Sequence, residues 1–189
     1  RIGTSPFNDN IAVWAARQGY VGVNMTYRLA PEHGRPAAQQ DIRQALTWLR
    51  ANAHSTGLDA GCIVLMGHSA GAAHVAQYLA FPEFHVAPGG GVAGVVLLSG
   101  LFDPSTAEVN PPLQAYFGAD PSPYSEWSAI PGLVASAVPM LIALAELDPE
   151  DFHRQSRQLT ERLTDAGKFA PTYQLMGHSH MSEIYAVNS

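Results

Sequence analysis

The sequence predicts an α/β fold with a mostly parallel sheet and helices packed against it. Three observations carry that expectation. Short unbroken apolar runs recur at residues 62–66, 92–98 and 140–144, as in strands buried on both faces of a parallel sheet. Segments with helical apolar spacing alternate with them, which is the pattern of strand–helix–strand units. The 189 residues are 47% hydrophobic and only 14% charged, enough for one domain with a sizeable core.

Residues 7–18 carry Ile11, Trp14 and Ala15 on one helical face, and Gly19 stands where a C-cap glycine would. Residues 20–27, rich in β-branched and aromatic side chains, read as a strand. Pro36 opens a helix to about Asn52 whose apolar stripe is Ile42, Ala45, Leu46 and Leu49. The buried strand at 62–66 leads into an Ala-rich helix at 70–80, stopped by Pro82. After the strands at 92–98 and 140–144 comes an amphipathic helix at 151–166, with Leu159 and Leu163 inward and Gly167 at its end. A short strand at 172–176 completes the alternation. The stretch at about 102–137, rich in Pro, Ser and aromatics (Tyr116, Phe117, Tyr124, Trp127), has no clean period. It reads either as a lid-like or binding insertion or as loop and helix on the sheet edge. Residues 1–189 are thus read as a single domain carrying that insertion.

Composition narrows the function. A net charge of −6 leaves no clustered Lys and Arg for a phosphate backbone, so no nucleic-acid partner is expected. Cys62 is the only cysteine, so no internal disulfide forms and the redox compartment stays open. No apolar run approaches the roughly 18 residues of a membrane span. The start, Arg1-Ile2-Gly3-Thr4-Ser5-Pro6, lacks an initiator Met and an apolar signal core, and reads as the middle of a longer protein. The compartment is therefore left open, with the cytoplasm as the default.

Gly67-His68-Ser69-Ala70-Gly71 fits G-x-S-x-G between a buried strand and a helix, where the motif has physical meaning. The chain must turn so sharply that flanking side chains collide, which accounts for Gly67 and Gly71 in this reading. The turn pushes the Ser69 hydroxyl out at a helix N-terminus, and the Ala70 N–H points to where an oxyanion would form. A nucleophilic serine needs a base, and the base needs an orienting acid, in the chain order Ser, acid, His. Asp148 follows the strand at 140–144 and His180 follows the last strand, both at carboxyl ends where open α/β sheets build their sites. Glu146, Glu150, Asp151 and Asp103 compete for the acid; Asp151 reads as a helix N-cap and Asp103 as the organiser of its own turn with Pro104. His178 rivals His180, but no Cys or acidic cluster joins the pair into a metal site. His68 flanks the nucleophile and is placed in the oxyanion or substrate pocket, while His33, His54, His74, His85 and His153 read as surface or core histidines.

These residues resemble the α/β-hydrolase superfamily, and within it the hormone-sensitive-lipase-like carboxylesterases. Tyr27-Arg28-Leu29-Ala30-Pro31-Glu32-His33 with Pro36-Ala37 and Asp41 is similar to that group's YRLAPE segment. Trp48-Leu49, the Gly-His-Ser-Ala-Gly elbow, Leu147-Asp148-Pro149 and Gly177-His178-Ser179-His180 extend the likeness over essentially the whole chain. The resemblance implies Ser69, Asp148 and His180 as the triad and no cofactor. His68 stands where many lipase-like members have Asp, and with the His-x-His ending it looks more like kynurenine formamidases and feruloyl-esterase-like enzymes. The family's His-Gly-Gly-Gly oxyanion segment is absent; Gly89-Gly90-Gly91 lies in the wrong place and lacks a preceding His. Against the family pattern the chain reads as N-terminally truncated, without the first three strands. That would open a gap between the strands at 20–27 and 62–66 and leave edges that invite homo-oligomerisation. The expected function is a serine hydrolase acting on short-chain or aromatic esters through an acyl-enzyme. The alternatives are an aryl formamidase or a non-catalytic fragment that self-associates.

Overall fold

In the computed structural model, residues 8–187 are described. The elements run α1 (Asp9–Arg17), α2 (Ala37–Ala51), α3 (Ala53–Thr56), β1 (Val64–His68), α4 (Ala70–Ala80), β2 (Gly94–Leu98), α5 (Pro111–Phe117), α6 (Ile130–Ala135), β3 (Met140–Leu147), α7 (Glu150–Asp165), β4 (Thr172–Ser179) and α8 (Ser182–Tyr185). Phe7, the first residue of the expected N-terminal helix, lies outside the described residues. Among the described residues there are four strands in the order β1-β2-β3-β4, all parallel. Every strand therefore delivers its carboxyl end to the same edge of the molecule.

Alternation along the strands sorts the core into two faces. Leu65, Val95, Leu97, Met140 and Ile142 point into the larger cluster, where Ile42 and Leu46 of α2, Val75 and Leu79 of α4, Leu133 of α6 and Leu159 and Leu163 of α7 meet them. Each such side chain, fully buried, contributes about 1.5–3 kcal/mol. Val96, Leu98, Leu141, Ala143 and Leu175 point the other way, under Ile11 of α1 and Ile184 of α8. That second face is thinly covered: Val64, Met66 and Tyr173 remain substantially exposed. No helix among the described residues is long and apolar enough to cross a membrane.

The segment expected as a strand at 20–27 is not one. Residues 21–29 pair with no strand among the described residues, and Tyr20, Val21 and Val23 are at least half exposed. Its β propensity is local, whereas a ladder needs a neighbour to accept its N–H groups. The motif that follows is held by other means: Arg28 donates from Nε to Asp41 Oδ1 and from its backbone N–H to Asp41 Oδ2, both at 2.8 Å. Elsewhere the strands start later or run longer than the apolar runs suggest, and β3 and β4 extend to Leu147 and Ser179.

Within residues 102–137 lie α5, a 3₁₀ turn at Tyr124–Trp127, and α6. Leu113, Phe117 and Tyr124 form a small cluster of their own with Leu101 and Trp127 beside it. The segment is tied down at its start and at Trp127. Gln155 of α7 accepts from the N–H groups of Phe102 and Asp103. Arg35 lies over the rings of Phe81 and Trp127, 4.8 and 5.1 Å from their centroids, and burial lowers its pKa.

Candidate active site

Four polar residues each follow the last residue of a strand: Ser69 after β1, Ser99 after β2, Asp148 after β3 and His180 after β4. The parallel sheet gathers them at one edge, the position where such sheets hold their sites. Ser69 sits at φ 56° and ψ −121°, left-handed backbone between β1 and α4. Such a conformation in a non-glycine residue is costly and marks a turn that the surrounding structure enforces. Gly67 permits the turn, because a Cβ there would lie 2.3 Å from the Gly71 carbonyl oxygen. The same steric need was expected at Gly71, and the structure corrects it: a Cβ on Gly71 meets nothing within 4 Å. The collision is one-sided, between position 67 and the backbone of residue 71.

The nucleophile, base and acid candidates form one hydrogen-bonded chain. His180 Nε2 is 2.8 Å from Ser69 Oγ, and His180 Nδ1 is 2.7 Å from Asp148 Oδ1. A carboxylate only accepts, so it holds the proton on Nδ1 and leaves Nε2 free to accept from the serine hydroxyl. Asp148 has no exposed side-chain surface. Its second oxygen, Oδ2, accepts from Ser99 Oγ at 2.5 Å and from the Ala145 N–H at 2.8 Å. Ser99, itself at φ 44° and fully buried, is a site residue that sequence reasoning missed. Its position just past an apolar run was the available signal.

A break in the β3–β4 register sets the position of His180. Between Ala145 and Leu147 on β3, β4 advances from Leu175 to Ser179. Gly177 takes φ 76° inside that irregularity, and its N–H donates to Glu146 Oε2 at 2.6 Å. Glu146 thereby shapes the loop, while the carboxylate on His180 is that of Asp148. His178 is turned aside onto Ser182 Oγ at 3.2 Å. Asp103 accepts from the Ser105 N–H and hydroxyl, organising its own turn. Asp151 is not the N-cap of α7, a place Pro149 holds; it lies in the first turn, paired with Arg154. His74 is a core histidine, packed between the rings of Tyr27 and Tyr116 and pushed down to about 4 by burial.

Two rings flank His180: Phe152 at 4.5 Å and His68 at 4.8 Å between centroids. His68 was expected in the oxyanion or substrate pocket. What its ring nitrogen Nε2 touches is the His180 carbonyl oxygen at 2.7 Å, with Glu183 Oε1 at 3.1 Å. Glu183, on α8 and 3% exposed, was not anticipated; its spacing three residues after His180 was the clue in the sequence. Ala70 opens α4, so its N–H has no carbonyl four residues back within the helix and stays available for an anion.

A family model described as alpha/beta hydrolase fold matches residues 2–183. Esterase LipQ of Mycobacterium tuberculosis is 27% identical over 180 residues, covering 86% of this chain and 42% of that protein. A probable carboxylesterase 8 of Arabidopsis thaliana is 32% identical over 80 residues, 36% of this chain and 24% of that protein. Among solved structures, a hyperthermophilic esterase from the archaeon Pyrobaculum calidifontis superposes with a TM-score of 0.73 at 26% identity, over 92% of this chain and 60% of that one. Carboxyl esterase 2 of Tuber melanosporum gives a TM-score of 0.75 at 18% identity, a likeness of fold, over 100% of this chain and 68% of that one. The chain thus spans about two fifths of the length of the mycobacterial relative.

Proposed function

The chain belongs to the alpha/beta hydrolase fold family, and from that premise we propose that it is the catalytic part of a serine carboxylesterase acting on short-chain or aromatic esters. The observation that carries the reading is the unbroken path from Asp148 through His180 to Ser69, at 2.7 and 2.8 Å. Both separations are already in the range for proton transfer before any substrate binds.

Ser69 Oγ attacks the ester carbonyl while His180 Nε2 takes its proton. Asp148 keeps the imidazole in the acting tautomer and stabilises the imidazolium that forms. The Ala70 N–H, at the positive end of α4, receives the oxyanion. His180 then protonates the leaving alcohol. Water, deprotonated by the same nitrogen, releases the acid and regenerates Ser69. The aromatic segment at 102–137 supplies a wall of the acyl or alcohol pocket, and the open sheet edge at β1 is where copies associate.

The test is p-nitrophenyl butyrate hydrolysis together with labelling by a fluorescent organophosphonate, on this chain and on Ser69→Ala. Hydrolysis and labelling that both vanish in the variant are the expected result. Labelling that persists unchanged in Ser69→Ala overturns the assignment.

A further inference from the structure

Glu183 poses a chemical problem that the proposed mechanism does not use. Its side chain has no exposed surface, yet neither carboxylate oxygen accepts a hydrogen bond among the described residues. The nearest donor, His68 Nε2, lies 3.1 Å from Oε1 but directs its hydrogen bond to the His180 carbonyl oxygen at 2.7 Å. A buried carboxylate without a donor is expensive, and a native structure that keeps one calls for a water, an ion or a functional reason.

The surroundings favour a cation. His68, His180 and Glu183 can each offer one ligand atom, all within 4.8 Å of one another. In a tetrahedral zinc site, bonds of about 2.0–2.2 Å put ligand atoms about 3.3 Å apart. The His68–Glu183 edge, at 3.1 Å, already meets that spacing. The two edges to His180, within 4.8 Å, have to shorten for the ion to be held. Two imidazoles and one carboxylate suit first-row transition ions better than magnesium or calcium, which prefer all-oxygen shells. One carboxylate against a divalent ion leaves a charge of +1, which a hydroxide or chloride from solvent completes as fourth ligand. Sequence reasoning paired His180 with His178 and found no third ligand; the fold brings different partners.

We propose that His68, His180 and Glu183 form a zinc-class metal site whose occupation switches the hydrolase off. The inhibition follows from which atoms are engaged. His180 has two nitrogens, one held by Asp148 and the other by Ser69. Whichever nitrogen binds the ion is withdrawn from the triad, so the metal-bound protein has no working base. For His68 the change is a tautomer shift: the proton moves from Nε2 to Nδ1, Nε2 turns its lone pair to the ion, and the bond to the His180 carbonyl is given up. The off-state rests on the esterase reading; the binding of the ion does not.

The experiment titrates Co²⁺ into the full chain, following its visible d–d absorption, and in parallel titrates Zn²⁺ against p-nitrophenyl butyrate hydrolysis in a non-chelating buffer. Expected are a tetrahedral Co²⁺ spectrum at one equivalent and Zn²⁺ inhibition reversed by EDTA. Glu183→Gln should weaken both by about 100-fold or more, beyond what loss of an outer-shell partner costs. If Glu183→Gln does not fold, as judged by circular dichroism, His68→Phe replaces it with the same expectation. Absence of a Co²⁺ spectrum, or binding and inhibition unchanged in the variant, overturns the proposal. Glu183-dependent Co²⁺ binding in a chain that hydrolyses no ester upholds the site and overturns the esterase reading instead.

Discussion

Replacing Ser99 with alanine removes one oxygen and leaves the rest of the site in place, which makes it a sharp probe of how Asp148 is held. The lost contact is the Ser99 Oγ–Asp148 Oδ2 hydrogen bond at 2.5 Å. Afterwards Oδ2 keeps the Ala145 N–H at 2.8 Å, and Oδ1 keeps His180. A hydrogen bond to a charged group is worth about 1.5–3 kcal/mol. Ser99 is fully buried, so no bulk water replaces the missing donor. If the whole loss falls on the transition state, kcat drops by about 10- to 150-fold, since each 1.4 kcal/mol is a factor of ten. The expected value lies near the lower end, because two of three donors survive. Backbone strain does not confuse the result: position 99 has φ 44°, and serine and alanine carry the same Cβ. Ser99→Gly is the control, losing the same hydrogen bond while relaxing that strain by about 1–2 kcal/mol. The assay is steady-state p-nitrophenyl ester hydrolysis with a urea unfolding curve for each variant. Both variants should show a lower kcat with KM nearly unchanged, while only Ser99→Gly recovers stability. Wild-type kcat in Ser99→Ala refutes the argument that Ser99 orients the acid.

Two further outcomes are expected elsewhere. Gly67→Ala forces a Cβ to within 2.3 Å of the Gly71 carbonyl oxygen and should lose both soluble yield and Ser69 labelling. Gly71→Ala, with nothing within 4 Å, should fold and retain labelling; equal behaviour of the two contradicts the one-sided clash. His74 is lowered to about 4 by burial, the charge of Asp41 only partly opposing it. A depressed base contributes stability that is intact above its unfolded pKa near 6.5 and is lost as pH falls through about 4. On the order of 3 kcal/mol is at stake, so the urea midpoint should fall across that window, and His74→Leu should flatten part of the slope. An identical slope in His74→Leu refutes it.

The Ser69–His180–Asp148 chain was legible because each member lies just beyond an apolar run, and a parallel sheet converts that sequence position into a shared place in space. Ser69, Asp148 and His180 need no more than the strand pattern and the chain order to be brought together. Ser99 obeys the same rule and was overlooked because a lone serine after a strand carries no motif. Glu183 was harder. Its relation to His68 is 115 positions long in sequence and depends on the short helix α8 turning back over the end of β4, which no local pattern encodes. The extra length of β4 was hidden for a similar reason: it rests on a Glu146 side chain receiving the Gly177 N–H, an interaction between strands.

Residues 20–27 show where local reading reaches its physical limit. Their composition is that of a strand, and a strand is what β-branched and aromatic residues such as Val21, Val23, Thr26 and Tyr27 favour wherever a ladder partner is at hand. Propensity of that kind is worth about 1 kcal/mol across its whole scale, less than the cost of leaving several N–H and C=O groups without partners. The ladder therefore decides, and among the described residues none reaches this segment: β1 pairs only with β2, and Tyr20, Val21 and Val23 face solvent. What does survive from the motif around residue 27 is its charge pair. Arg28 grips Asp41 at two points 2.8 Å long and so ties the extended stretch to α2, which in turn packs Ile42 and Leu46 against the helix that presents Ser69. The same residues that fail to make a strand thus still brace the turn that carries Ser69, through a helix rather than through a sheet. An Arg28–Asp41 pair is therefore a packing device for α4, and its distance from the triad is no argument against its mattering to the site.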